Sequence, residues 1–187
     1  IALMRSIPGM TVLNPADDTE AKLAVEAAYK HDGPVYIRFG RLAAPVIFGD
    51  DYKFEIGKGV ELKEGNDITV IATGLMVGTA LEAYETLKEK GINARIINMP
   101  TIKPIDSDII IKAAKETGKI VTVEEHSVIG GLGSAVCDVV CENCPVPVYK
   151  IGVNDEFGYS GPATELLKIF GLSAENIVNT VCKALGK

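Results

Sequence analysis

The sequence has no tryptophan, and phenylalanine and tyrosine bring its aromatic share to only 6%. That argues against a surface that stacks nucleobases in series, because such platforms need several exposed rings. Basic charge is not in excess either: 19 Lys+Arg stand against 25 Asp+Glu, a net charge of −6. Nucleic acid and anionic membranes are gripped by a basic face, so neither is expected as a main partner. No stretch approaches the roughly 20 apolar residues of a membrane-spanning helix. No signal peptide is visible, since Arg5 and Ser6 interrupt the apolar Ile1 to Met4 at once. A cytoplasmic location is expected. No G-x-x-x-x-G-K-S/T run occurs, which excludes a P-loop. The two histidines, His31 and His126, have no metal-ligand spacing. An initiator methionine is also missing, and the pattern that follows suggests a fragment of a longer protein.

What is present is the balance of a globular protein. Of the 187 residues, 47% are hydrophobic and 24% charged, enough for one complete domain and part of another. Cys137, Cys141, Cys144 and Cys182 are the only cysteines. Cys141 and Cys144 form a C-x-x-C, but no second pair completes a zinc site, and the motif closes a helix instead of opening one. A C-x-x-C at a helix start would have an acidified thiol; here packing thiols in a reducing compartment are expected.

Met10 to Asn14 reads as a short strand before Pro15. Asp17 and Asp18 place capping carboxylates ahead of a helical pattern that Gly33-Pro34 stops, and Val35 to Phe39 reads as the next strand. Residues 1–41 are thus strand, helix, strand, too small to bury their own sheet and expected to show an apolar face. Residues 42–65 read as a linker with a hairpin built from Phe54, Ile56, Val60 and Leu62. From residue 66 the alternation is regular. Strands are predicted at Ile68 to Ala72, Ala94 to Met99, Ile120 to Val123 and Val146 to Ile151. Helices are predicted at Val77 to Leu87, Asp106 to Thr117, Gly130 to Cys141, Pro162 to Phe170 and Ala174 to Leu185. Glycines at 91 and 118 serve as stops, and Ser173 as a cap. Strand–helix repetition with continuously apolar strands predicts an α/β fold: a three-layer α/β/α sandwich around a mostly parallel sheet.

Three constellations could carry chemistry. Gly131-Leu132-Gly133-Ser134 follows a strand and opens a helix, which is half a dinucleotide fingerprint; Val136 stands where the third glycine belongs. The alternative is that the glycines make room for close packing, and Gly74 and Gly78 raise the same question. Glu124, Glu125 and His126 sit beyond a strand's carboxyl end, where α/β sheets present ligands, but in extended chain one glutamate must point away from the other. An interface or loop role is expected for them and for Gly131, Gly133 and Ser134. Arg38 and Arg41 close the second strand, on opposite faces if the strand continues. Arg41 reaches beyond it, where a fork of donors suits phosphate or carboxylate.

Several stretches are familiar together. Ile7-Pro8-Gly9-Met10-Thr11-Val12, Asn14-Pro15-Ala16-Asp17, Gly33-Pro34-Val35-Tyr36-Ile37-Arg38 and Gly40-Arg41 resemble the end of the pyrimidine-binding domain of transketolases. Ile71-Ala72-Thr73-Gly74, Ile102-Lys103-Pro104-Ile105-Asp106, Thr122-Val123-Glu124-Glu125-His126, Gly130 to Val136 and Phe157-Gly158-Tyr159-Ser160-Gly161 resemble the carboxy-terminal domain that follows it. The match is nearest to the C-terminal subunit of split transketolases. The resemblance implies three regions: residues 1–50 as the incomplete end of the pyrimidine-binding domain, 51–65 as linker and start of the next domain, and 66–187 as the transketolase C-terminal domain. It implies two-carbon ketol transfer between sugar phosphates in a parent enzyme that uses thiamine diphosphate and a divalent metal, Mg. The residues that hold both lie outside this chain, so no catalytic, cofactor or metal residue is assigned, and the chain alone is expected to be inactive. Arg41 matches the family's arginine for substrate phosphate. The implied partners are an N-terminal transketolase subunit or domain and a second copy through the C-terminal domain. The alternatives are 1-deoxy-D-xylulose-5-phosphate synthase, which ends the Arg38 strand with Tyr-Pro-Arg-Gly, the β subunit of a 2-oxo-acid dehydrogenase, and, in another class, an autonomous nucleotide-binding or assembly module.

Overall fold

Strands form where successive residues are apolar, because both faces of the sheet are covered, and helices form where capping residues and glycine stops bracket an apolar stripe. The computed structural model describes residues 1–187. A short helix α1 (Ala2–Ser6) precedes β1 (Thr11–Leu13), α2 (Asp18–Lys30) and β2 (Val35–Ile37). A second unit follows with β3 (Val60–Lys63), β4 (Ile68–Ala72), α3 (Met76–Glu89), β5 (Ala94–Asn98) and β6 (Thr101–Lys103). It continues through α4 (Ser107–Thr117), β7 (Ile120–Ser127), α5 (Leu132–Asn143), β8 (Val148–Val153), α6 (Ala163–Ile169) and α7 (Ala174–Leu185).

The main sheet has five strands in the order β3-β5-β4-β7-β8. β4 pairs in parallel with both β5 and β7, and β7 with β8, while β3 runs antiparallel along β5. Alternation along each strand divides the core in two. Ile68, Val70, Ile96, Val121 and Val123 pack with Met76, Leu87, Ile177 and Val181 on one face. Ile71, Ile97 and Ile120 pack with Ile110, Ala113 and Val136 on the other. Helices α3 and α7 therefore cover one side and α4 and α5 the other, the three layers expected. Local punctuation is where the sequence places it. Asp106 accepts from the Ile109 amide and Gly118 ends α4 at φ +66°; Ser173 accepts from the Asn176 amide to start α7.

Residues 1–41 do not stand apart. Pro100 ends β5, but the chain resumes at once as β6, which pairs antiparallel with β1. This second sheet has the order β2-β1-β6. β1 is fully buried as a result, and the apolar side chains that this segment exposes lie outside it, on α2 (Val25, Tyr29) and near the ends at Leu3, Ile7 and Phe39. The Asn14 amide donates to the Pro100 carbonyl at 2.7 Å, and the Asn14 carbonyl accepts from the Gly74 amide at 3.2 Å. Gly74 sits at φ +58°, which favours glycine, and a Cβ there would lie 2.6 Å from the Asn14 side-chain Nδ2, so glycine lets the two units close.

Three expectations need correction. Residues 42–65 hold no hairpin. Phe54 and Ile56 are in no strand, and Val60–Lys63 pairs with β5 instead of a neighbour, because hydrogen bonds from the preceding unit pin the segment. β7 runs to Ser127, so Glu124, Glu125 and His126 are strand residues and not a loop; the ladder reaches Val153 of β8 through a bulge. β2 stops at Ile37, which removes the alternation that would have parted Arg38 from Arg41.

Candidate functional site

The carboxyl ends of β7 and β8 face the residues that leave β2. Glu124 points inward from β7 and is fully buried. Its carboxylate accepts from the Leu132 amide at 2.7 Å and the Gly133 amide at 2.8 Å, two of the donors that a helix start leaves unpaired. Burial pushes the Glu124 carboxyl above its usual range, against those two amides and the nearby charges of Lys150 and Arg5. A Cβ at Gly131 would run into the Glu124 carboxylate and lie 2.8 Å from His126 Nδ1; one at Gly133 would meet Lys150 and Thr122. Ser134 Oγ accepts from the Gly130 amide at 2.9 Å. The glycine-rich helix start thus closes on a carboxylate from its own chain. The helix-start amides that a phosphate would need are already taken by this carboxyl group, which argues against the nucleotide reading of Gly131 to Ser134.

His126 stands two residues on, on the same side of the strand, with Nδ1 3.7 Å from the Glu124 carboxylate. Its Nδ1 lies 2.9 Å from the Ser127 carbonyl, which can only accept, so Nδ1 carries the proton and Nε2 accepts from the Ala2 amide at 3.4 Å. Burial lowers its pKa, and Arg38 adds to the effect, which keeps the ring neutral at physiological pH. The orienting partners that the sequence does not display are therefore backbone groups. Arg38 Nη2 donates to the Glu125 carbonyl at 2.9 Å and fastens the end of β2 to β7. Arg41 is exposed and has no hydrogen-bond or ion-pair partner. Arg38, Arg41, Glu125 and His126 all border one cleft of about 490 Å³.

The structure thus brings Arg41, Glu125 and His126 together, and sets Glu124, Gly131, Gly133 and Ser134 behind them as the helix cap. Sequence reasoning missed the remaining wall: Tyr159, Leu166, Leu167 and Phe170. Tyr159 stacks on Phe170 with ring centroids 5.7 Å apart. The only signal for it was the Phe157 to Gly161 stretch, whose Tyr159 lies between two glycines outside any element.

A second polar cluster joins the units from below. Asp17 caps α2 by accepting from the Glu20 amide at 2.8 Å, and its other oxygen accepts from the Ile47 and Phe48 amides. Glu20, fully buried, accepts from the Ala16 amide at 2.6 Å, Tyr52 Oη at 2.8 Å and Asn98 Nδ2 at 2.8 Å. The D-x-x-E spacing is that of a capping box, bent here to reach three segments. Burial pushes the Glu20 carboxyl up to about 7 and the Tyr52 hydroxyl up as well. Elsewhere, all four cysteines are free thiols. No three His, Cys, Asp or Glu side chains converge where a metal ion could sit, and no helix is long and apolar enough to cross a membrane.

Comparison with known proteins completes the site's context. Residues 57–177 match the family model described as transketolase, C-terminal domain, and residues 1–46 that described as transketolase, pyrimidine binding domain. The chain is 46% identical over 178 residues to the 6-deoxy-6-sulfo-D-fructose transketolase subunit SqwH of Clostridium sp. (strain MSTE9), covering 95% of this chain and 55% of that protein. It is 46% identical over 190 residues to a putative transketolase C-terminal section of Methanocaldococcus jannaschii, covering 100% of this chain and 59% of the other. A solved structure described as a split gene transketolase, inactive beta4 tetramer, superposes with a TM-score of 0.96 at 50% identity, over 99% of this chain and 61% of that one. The chain therefore spans little more than half the length of these relatives.

Proposed function

Since the chain belongs to the transketolase family, we propose that it is the carboxy-terminal portion of an enzyme that moves two-carbon ketol units between sugar phosphates. The observation that supports this most directly is Arg41, an exposed guanidinium without a partner, held beside Arg38 at the rim of a cleft. A planar fork of donors with no acceptor of its own suits a phosphate dianion. Thiamine diphosphate would supply the electron sink for the ketol carbanion. The side chains of this chain do not fit its metal, as no three ligands converge, so the reading assigns cofactor and metal to the N-terminal subunit or domain. This chain then contributes substrate-phosphate binding and assembly. The neutral His126 and the capped Glu124 serve that assembly by fixing the β7 end against α1 and α5.

Two expectations follow. The chain alone should show no thiamine-dependent ketol transfer, and activity from it would end this reading. In the assembled enzyme, Arg41→Ala should raise KM for phosphorylated substrates by roughly 10- to 100-fold, the loss of a charge-assisted contact of about 1.5–3 kcal/mol. Steady-state kinetics with an unchanged KM would take Arg41 out of the site. Substrate profiling separates the related enzymes: pentose-phosphate exchange supports a transketolase, and pyruvate consumption supports a deoxyxylulose-phosphate synthase or a 2-oxo-acid dehydrogenase. Phe39-Gly40 in place of Tyr-Pro before Arg41 favours the first. A homo-oligomer is also proposed. Val25 and Tyr29 stand exposed on α2, Tyr29 by 91%, and the structural relative is described as a tetramer of one subunit type.

A further inference from the structure

Three of the four cysteines form a line along α5. Cys137, Cys141 and Cys144 stand four and three residues apart, the spacing that puts side chains on one stripe of a helix. Cys182 belongs to α7, which covers the opposite side of the sheet. Nothing in the proposed ketol transfer uses these thiols. Packing accounts for two of the three. Cys137 and Cys144 are half-buried, and Cys144 lies with Val146 and Val148 against the apolar cluster under α4 and α5. Packing does not account for Cys141, which is exposed in the last turn.

An exposed thiol oxidises first to a sulfenic acid and then, unless a second thiol intercepts it, to acids that are not recovered. The helix end decides which neighbour can meet Cys141. Cβ atoms three or four residues apart on a helix are separated by about 5–6 Å, and a disulfide needs about 3.8 Å, so one cysteine must move. Cys137 stands inside α5, where moving it breaks the turns on both sides, and burial pushes its thiol up, away from the reactive thiolate. Cys144 is the C-cap. Its backbone has already left the helical range, at φ −154°, and the helix holds it by a single bond, from its amide to the Val140 carbonyl at 3.0 Å. It can swing toward Cys141 while the turns before it stay closed.

We propose that Cys141 and Cys144 are a reversible redox pair, closed into a disulfide by exchange with small disulfides. The exposed Cys141 thiolate attacks one sulfur of R–S–S–R; that bond breaks, and RS⁻ leaves and is protonated to RSH. The Cys144 thiolate then attacks the Cys141 sulfur of the mixed disulfide and expels the second RS⁻. Two protein thiols are oxidised, one external disulfide is reduced, and the two thiol protons end on the released RSH molecules. Glu142 between the two cysteines and the negative end of α5 around them disfavour an anionic reagent, so an uncharged disulfide is the fitting partner.

Incubating the full chain with excess 2-hydroxyethyl disulfide at about pH 8 tests this, read by intact mass and peptide mapping after the remaining thiols are alkylated. Cys141 and Cys144 should be found joined, with no reagent on either, and dithiothreitol should reopen them. Cys144→Ala should instead trap the mixed disulfide on Cys141, at least about tenfold longer-lived than in the unchanged chain. Cys141→Ser should leave Cys144 unmodified, and Cys137→Ser should change nothing. Cys141 is exposed and Cys144 lies at a helix end, so neither exchange threatens the fold. A mixed disulfide that persists on Cys141 of the unchanged chain overturns the proposal. So does a bond from Cys141 to Cys137, or a Cys141 that does not react.

Discussion

Replacing Glu20 by alanine should lower the unfolding free energy by about 3–5 kcal/mol, because three buried donors lose their acceptor at once. Ala16, Tyr52 and Asn98 belong to three separate segments, so the loss reaches the α2 start, the linker and β5 together. At roughly 2–4 °C per kcal/mol for a chain of this size, the melting temperature should fall by about 10 °C. The same carboxylate sets a pH dependence. Its pKa is about 7 folded against 4.5 unfolded, so between those values the native state binds the extra proton. Stability from Glu20 is therefore complete below pH 4.5 and declines as pH rises toward 7, by about 3 kcal/mol in all. Glu124, also raised by burial, acts in the same direction, while His126, lowered by burial, acts in the opposite one. Glu20→Gln isolates the first contribution. Urea unfolding at about pH 5 and about pH 8 should show a smaller difference for Glu20→Gln than for the unchanged chain. Equal slopes would mean that Glu20 titrates alike folded and unfolded.

Gly131→Ala should be nearly as severe, by about 3–5 kcal/mol, and for a different reason. The backbone at 131 has a φ of −86° that any residue can adopt, so conformation is not the difficulty. The new methyl would occupy the place of the Glu124 carboxylate and force it off the amides of Leu132 and Gly133. The double variant Glu124→Ala with Gly131→Ala should then cost clearly less than the two single losses added, since alanine at 124 vacates the space. Additive losses in denaturant melts would contradict this account of the glycine.

These two carboxylates mark the boundary of what could be read from the chain. Ile68 to Ala72 was legible because a strand covered on both faces is apolar apart from Thr69, and Ala174 to Leu185 because Ser173 is a local start signal. Asp17 was legible as a cap for the same reason. Glu20 was not, although it stands three residues beyond Asp17, because its partners at 52 and 98 are brought to it only by the tertiary fold. β6 was hidden since three residues after a proline carry no periodicity; its strand character comes from pairing with β1, some 90 residues earlier. Glu124 to Ser127 looked like a loop because four polar residues do not suggest a strand, and it is the ladder to β8 that keeps them extended. At the site, Arg41 was singled out for its chemistry, but its company was not. The short β2 turns Arg38 into the same cleft, and the wall of Leu166, Leu167 and Phe170 arrives from a helix 130 residues away, where its apolar stripe looks like ordinary core.

The central place of β1 between β2 and β6 has a consequence for a broken chain. The connection between the units carries lysines at 53 and 58 that are open to trypsin, in a stretch without helix or strand. A single nick there severs the polypeptide but not the β1–β6 ladder, nor the grip of Glu20 on Asn98. The two pieces should co-migrate in a native gel, separate only in detergent, and recombine when mixed after refolding. Covalent continuity between the halves is then a convenience of synthesis, and a gene cut at this point would still encode one folded object.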